Sequence, residues 1–170
     1  MLDSKIELAL NDQIEKEANS SHLYLSMATW AEQTGLSGTA EFLYAHSDEE
    51  RLHMLKLIKF INERGGVAKI PKLEAPKDDF DSLGDLFMTL LNHEIMVTNS
   101  INGIVHLCIE QQDYTTHNFM QWYVAEQLEE EALARNIMDK LKLIGSDKSG
   151  LYLFDRDIIK LITVEAETTK

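Results

Sequence analysis

The chain has 170 residues, a hydrophobic fraction of 44% and a formal net charge of -13. It is long enough to bury a core as one domain, and its negative charge argues against nucleic acid or an anionic membrane surface as a partner. A single cysteine, Cys108, excludes an internal disulfide framework and a zinc site built from cysteines. The sequence lacks a secretory signal and a membrane-spanning apolar run, so we expect one cytoplasmic domain over residues 1–170.

Hydrophobic positions that recur every three or four residues predict the first two helices. The first covers residues 3–34 and ends at Gly35. The second begins near residue 37, with Ser37 or Thr39 as its N-cap, and stops at the Gly65–Gly66 pair. Their inward-facing lines are Ile6, Leu10, Ile14, Glu17, Ser21, Tyr24 and Ala28 in the first helix, and Leu43, His46, Glu50, His53, Leu57 and Ile61 in the second.

Two more long helices and a short one follow in the sequence. The third covers residues 82–111 and the fourth residues 115–143, while residues 151–162 form an amphipathic stretch whose apolar face needs a partner. The inward-facing lines are Leu83, Phe87, Leu90, Glu94, Val97, Ile101, Ile104 and Cys108 in the third helix, and Phe119, Tyr123, Gln127, Glu130, Leu133, Ile137 and Leu141 in the fourth.

The segment between the second and third helices, "GGVAKIPKLEAPKDDFD", is long for a loop in a compact domain. A helix of about 27 residues is roughly 40 Å long, and some 16 extended residues can span about 50 Å. The segment can therefore run the length of the bundle and leave these two helices parallel. The predicted fold is all-α: a four-helix bundle with one long crossover and a short fifth C-terminal helix.

Each long helix carries a polar group near its middle, on the line that otherwise faces the core. Ionised carboxylates are costly in a core unless they are paired, and several together repel one another. The four lines contain no lysine or arginine, so bound metal is the favoured partner, and mixed oxygen and nitrogen ligands suit iron. Each group alone has a plainer interpretation, as a hydrogen-bonded core acid or a structural histidine. The groups are Glu17, Glu50 with His53, Glu94, and Gln127 with Glu130.

At these residues the chain resembles the ferritin family, specifically its non-haem bacterial members. The resemblance covers nearly the whole chain and implies a ferritin-like bundle that stores iron in a hollow homo-oligomeric shell of 24 subunits. It also implies a ferroxidase, in which two Fe(II) ions are oxidised by dioxygen or hydrogen peroxide and the Fe(III) leaves to mineralise. The stretches that carry it are Glu17, "EERLH" at 49–53, Glu94, "NFMQWYVAEQLEEE" at 118–131 and "GLYLF" at 150–154.

The resemblance also implies roles for individual residues. Tyr24 matches a family tyrosine that can donate an electron near the metals, although a tyrosine on such a line is more often a packing residue. Acids beside the di-iron centre match a third, inward iron site, for which a solvated acidic face is the alternative. The implied ligands are Glu17, Glu50 and His53 for the first iron, Glu94, Glu130 and Gln127 for the second, with Glu50 bridging, and Glu49, Glu126 and Glu129 for the third site.

The chain differs from two related families at positions that bear on its cofactor and its function. Bacterioferritins bind haem through a methionine directly after the ExxH glutamate, and Arg51 stands there, so we expect no haem. A di-iron oxidase or peroxidase of the rubrerythrin type is the alternative function, but it usually carries paired CxxC motifs that one cysteine cannot supply. The remaining histidines lack a paired motif and are interpreted as structural or exposed: His22, His46, His93, His106 and His117.

Overall fold

The computed structural model describes the backbone of residues 2–168 and the side chains of residues 2–162. Both ends of each of the first four helices lie within two residues of the predicted bounds. The fifth helix extends beyond the predicted stretch at both ends. Within the described residues, no helix has the length and hydrophobicity needed to cross a bilayer. The helices are α1 (Ser4–Gln33), α2 (Ser37–Glu63), α3 (Leu83–Glu110), α4 (Tyr114–Ile144) and α5 (Lys148–Thr168).

Two apolar clusters fill the two ends of the bundle and establish how the helices run. One cluster joins the N-terminal part of α1, from Ile6 to Ile14, to the C-terminal parts of α2 and α3 and to the start of α4. The other joins the C-terminal part of α1 to the starts of α2 and α3 and to the end of α4. Helices α2 and α3 are therefore parallel, and each is antiparallel to α1. This confirms the predicted bundle with a long crossover.

The crossover, residues 64–82, lies along α1 and is attached to it at both ends. Near its start, the Asn11 amide donates to the carbonyl oxygen of Val67 and accepts from the amide nitrogen of Lys69. Near its end, the Ser26 hydroxyl donates to the carbonyl oxygen of Lys77. These contacts satisfy backbone groups in a segment that has no regular structure of its own.

The buried line of α4 differs from the predicted one by one residue at two places. Met120 and Ala134 are fully buried, whereas their neighbours Phe119 and Leu133 are half-buried, as is Leu141. Because the helical period is 3.6 residues, adjacent positions can both border the core, and only packing selects between them. The buried residues of α4 are Thr116, Met120, Tyr123, Gln127, Glu130, Ala134 and Ile137.

The N-terminus of α2 is capped from α5, so the predicted cap by Ser37 or Thr39 is wrong. The residue before the helix is Leu36, which makes no side-chain cap. Instead the Asp155 carboxylate accepts from the backbone nitrogens of Gly38 and Thr39 at 3.1 and 2.8 Å. A carboxylate at this position satisfies free N–H groups and interacts favourably with the helix dipole.

Replacing Gly38 with alanine is expected to destabilise the protein by more than about 1 kcal/mol, as overpacking usually does. A β-carbon at position 38 would overlap the Asp155 carbonyl oxygen, which is backbone and cannot move without moving α5. Gly103→Ala is the matched control, since that helical position is open and alanine there should stabilise slightly. Thermal unfolding followed by circular dichroism measures both variants. Equal stability of Gly38→Ala and wild type would contradict the close approach of α5 to α2.

Candidate metal centre

A layer of buried polar side chains separates the two apolar clusters at the middle of the bundle. All four long helices contribute to it, and none of its members is more than 6% exposed. They lie where the predicted lines of the helices placed them, because a three- or four-residue step keeps a side chain on one helical face. These residues are Glu17 of α1, Glu50 and His53 of α2, Glu94 of α3, and Gln127 and Glu130 of α4.

Glu17, Glu50 and His53 form the tightest group in this layer. One ligand atom from each of the three side chains lies within 4.8 Å of the other two. His53 Nδ1 is 3.5 Å from Glu50 Oε2 and 3.9 Å from Glu17 Oε2. Gln13 Nε2 donates to Glu17 Oε1 at 2.8 Å, which fixes the carboxylate. Two carboxylates and one imidazole at these separations can hold one divalent transition-metal ion.

The three side chains shift the pKa values of one another. Burial and the neighbouring Glu50 charge raise the pKa of Glu17 well above its ordinary value. Burial alone would also raise the pKa of Glu50, but the hydrogen bond and charge of His53 lower it. Burial would lower the pKa of His53, but the neighbouring Glu50 and Glu17 raise it to about 9. A metal ion binding here would replace these protons as the source of positive charge.

Glu94 of α3 also belongs to the buried polar layer, and neutral donors hold its carboxylate. The Tyr24 hydroxyl donates to Glu94 Oε1, and Gln127 Nε2 donates to Glu94 Oε2 at 3.0 Å. Burial and the Glu130 charge raise the pKa of Glu94 to about 8. Tyr24 itself is fully buried, so the tyrosine singled out in the sequence is hydrogen-bonded to the centre.

Gln127 is oriented by three acceptors. Besides the Glu94 carboxylate, its Nε2 donates to the Glu94 carbonyl oxygen and to Thr98 Oγ1 at 3.2 and 3.3 Å. The Thr98 hydroxyl in turn donates to Glu131 Oε1 at 2.6 Å. In this arrangement Gln127 is a hydrogen-bond donor to Glu94. Metal binding through its amide oxygen stays a prediction that needs the amide turned over.

Glu130 lies with two residues of α2 in a second group. Its Oε2 is 3.5 Å from His46 Nε2, and the carboxylate of Glu49 completes a set of three ligand atoms within 4.8 Å of one another. His46 is only 2% exposed. Because His46 lacks a paired motif in the sequence, it was predicted to be structural or exposed. Its spacing of three residues from Glu49, on the predicted inward line, is the pattern that could have identified it.

The acids predicted for a third site are only partly brought together. Glu49 and Glu126 lie within 4.8 Å of each other and of a His53 nitrogen, and both carboxylates are partly buried. Burial and neighbouring acids raise the pKa of both. Glu129 is exposed and belongs to none of the three-ligand groups found among the described residues.

Comparisons with known proteins support the fold. Residues 7–144 match the ferritin family, described as a ferritin-like domain. The chain is 45% identical over 163 residues to a probable bacterial non-heme ferritin-like protein of Haemophilus influenzae, covering 96% of this chain and 99% of that one. It is also 45% identical to a bacterial non-heme ferritin of Campylobacter jejuni, over 93% and 95% of the two chains. A solved open-pore ferritin of Archaeoglobus fulgidus superposes with a TM-score of 0.92 at 40% identity, over 94% and 98% of the two chains.

Proposed function

The chain belongs to the ferritin family, and from that premise we propose that it stores iron, oxidising Fe(II) at the buried centre and retaining Fe(III) as a mineral inside a cage. The observation that carries this proposal is the Glu17, Glu50 and His53 group, buried at the middle of the bundle with ligand atoms within 4.8 Å of one another. Packing alone does not require two carboxylates and an imidazole in the middle of an apolar core, and a bound metal ion would give these three side chains a role.

In the proposed reaction, Fe(II) is the substrate, and the first ion binds to Glu17, Glu50 and His53. Binding releases the protons held by Glu17 and His53, since metal ligands must be deprotonated. Each Fe(II) gives one electron to dioxygen or hydrogen peroxide. The carboxylates of Glu17 and Glu50 favour the ferric product, because they neutralise its additional positive charge in a site from which water is excluded.

The second Fe(II) is proposed to bind to Glu94 and Glu130, with Glu50 bridging the two ions and Gln127 helping to hold the second. Tyr24 keeps Glu94 in place through its hydrogen bond and is the candidate electron donor. The proposed outlet toward the cavity uses the acids of the third site, Glu49, Glu126 and Glu129.

Storage requires a container, and we propose the 24-subunit shell known for the family. An apolar groove between the end of α4 and α5 supports association, because apolar side chains there are poorly covered in one subunit. Leu143 and Leu153, which line this groove, are 88% and 45% exposed.

Aerobic addition of Fe(II) to the metal-free protein tests the proposal. Wild type should generate ferric absorbance rapidly, and Glu50→Ala should oxidise Fe(II) no faster than buffer, because a ligand shared by both ions is gone. Glu41→Ala is the control, since Glu41 is exposed on the same helix. Size exclusion measures assembly in parallel. A particle no larger than the 19.4 kDa chain would remove the storage role, and equal oxidation rates in the Glu50 variant would remove the assigned site.

A further inference from the structure

We infer that Glu131 is a positioning residue for the second metal ion and acts, through Thr98, on the orientation of the Gln127 amide. The inference rests on the proposed function, because the amide holds Glu94, the proposed ligand of that ion. A chain of hydrogen bonds joins these side chains. The Thr98 hydroxyl donates to Glu131 Oε1 at 2.6 Å. Gln127 Nε2 donates to Thr98 Oγ1 at 3.3 Å and to Glu94 Oε2 at 3.0 Å.

The direction of this chain is determined at its outer end, at Glu131. An ionised carboxylate can only accept hydrogen bonds, and Arg135 Nη1 holds this one in place by donating to its Oε2 at 2.5 Å. The Thr98 hydroxyl has a single hydrogen, which it gives to Glu131. Toward Gln127, the Thr98 oxygen is therefore an acceptor only.

An acceptor at Thr98 leaves the Gln127 amide one favourable orientation. Its nitrogen lies 3.3, 3.2 and 3.0 Å from Thr98 Oγ1, the Glu94 carbonyl oxygen and Glu94 Oε2, and all three of these atoms accept. If the amide turned over, its oxygen would face the same three oxygens with no hydrogen between them, which is unfavourable for buried polar groups. The Glu94 carboxylate would also lose the Gln127 donor.

Packing does not select between the two amide orientations. Gln127 lines an open crevice between α3 and α4, together with Thr98 and Glu131, so the amide has room to turn. The oxygen and the nitrogen of a glutamine amide are also nearly alike in size and differ in their hydrogen bonding. Hydrogen bonding to Thr98 is thus what distinguishes the two orientations, and Glu131 sets its direction.

The consequence for the second ion lies in the position of the Glu94 carboxylate. Gln127 holds one of its oxygens and Tyr24 holds the other. A carboxylate oxygen has two lone pairs, so it can keep a donor and still bind a metal ion. Partners of this kind orient a ligand before the metal arrives, and their loss usually weakens metal binding about 10–100-fold.

Thr98→Val tests the inference, because valine has nearly the same shape as threonine but no hydroxyl. Calorimetric titration of the metal-free protein with Zn(II) should show the first ion binding as in wild type and the second about 10–100-fold more weakly. In aerobic oxidation, the Fe(II) concentration that gives half the maximal rate should rise by a similar factor, with little change in the maximal rate. Thr98→Ser keeps the hydroxyl and should restore both properties.

Glu131→Ala tests the outer end of the chain. Without that acceptor, the Thr98 hydroxyl can turn to the carbonyl oxygen one turn earlier on α3, which is that of Glu94, and compete there with the Gln127 amide. The second ion should again bind more weakly. Combining Glu131→Ala with Thr98→Val should weaken it no further than Thr98→Val alone, because both changes break the same chain.

Thr89→Val is the matched control. Thr89 is also half-buried on α3, but its hydroxyl donates to the backbone of its own helix, at Asp85, so the variant should bind both ions as wild type does. Tight binding of both ions by Thr98→Val, or additive losses in the double variant, would overturn this inference and leave the proposed function intact. A wild-type protein that binds no zinc and oxidises no Fe(II) would overturn the proposed function instead.

Discussion

Replacing Glu17 with glutamine is expected to raise the thermal unfolding temperature of the metal-free protein and to weaken Fe(II) and Zn(II) binding by at least about 100-fold. Glu17 is 1% exposed, and burial together with the Glu50 charge raises its pKa. Glutamine needs no proton at neutral pH, and its amide oxygen can still accept from Gln13 Nε2. A gain of about 1 kcal/mol would raise the midpoint by about 2–4 °C.

Glu15→Gln separates this effect from a general change in charge. Glu15 is exposed on the same helix, two residues earlier, so its replacement should alter neither the unfolding temperature nor zinc binding. Differential scanning calorimetry and zinc titration measure the two properties in the same samples. If Glu17→Gln bound zinc as tightly as wild type, the carboxylate would be a structural core acid rather than a ligand. Loss of stability in the metal-free variant would show that the charge is already satisfied within the protein.

The sequence was sufficient to predict the bundle because local patterns determine most of it. Glycines such as Gly35 and Gly65 have positive φ angles and end α1 and α2 as expected. The buried polar layer at the middle of the bundle could be predicted in the same way, because an acid that occupies an apolar position of the helical repeat must face inward. The length of the crossover then predicted that α2 and α3 are parallel.

What the sequence could not predict depends on contacts between distant segments. Asp155 caps α2 from more than a hundred residues away, and no local pattern links the two. His46 is a candidate ligand because Glu130, on another helix, lies close to it. The orientation of the Gln127 amide depends on Thr98 and Glu94 of α3. In each case both residues are present in the sequence, but only the fold shows that they are in contact.

The metal-free protein is expected to lose stability as the pH rises from about 5 to about 9. Glu94 has a folded-state pKa of about 8 against an ordinary 4.5, and His53 about 9 against 6.5. Between these values the folded state holds protons that the unfolded state has released, so stability falls as pH increases. The exposed or partly exposed acids with lowered pKa values, such as Asp113 and Asp157, titrate below this interval.

Bound Zn(II) should reverse this dependence, because the metal replaces the protons on Glu17, Glu94 and His53 and therefore binds more tightly as they leave. Unfolding temperatures measured near pH 6 and pH 8.5, with chelator or with Zn(II), should diverge. The metal-free midpoint should fall by about 5 °C, for a loss on the order of 2 kcal/mol, while the zinc-loaded midpoint holds or rises. Glu94→Gln should flatten the metal-free slope, since its amide does not titrate. A metal-free midpoint that rises with pH would mean that these carboxylates are ionised without metal, and the need for bound cations in the core would disappear.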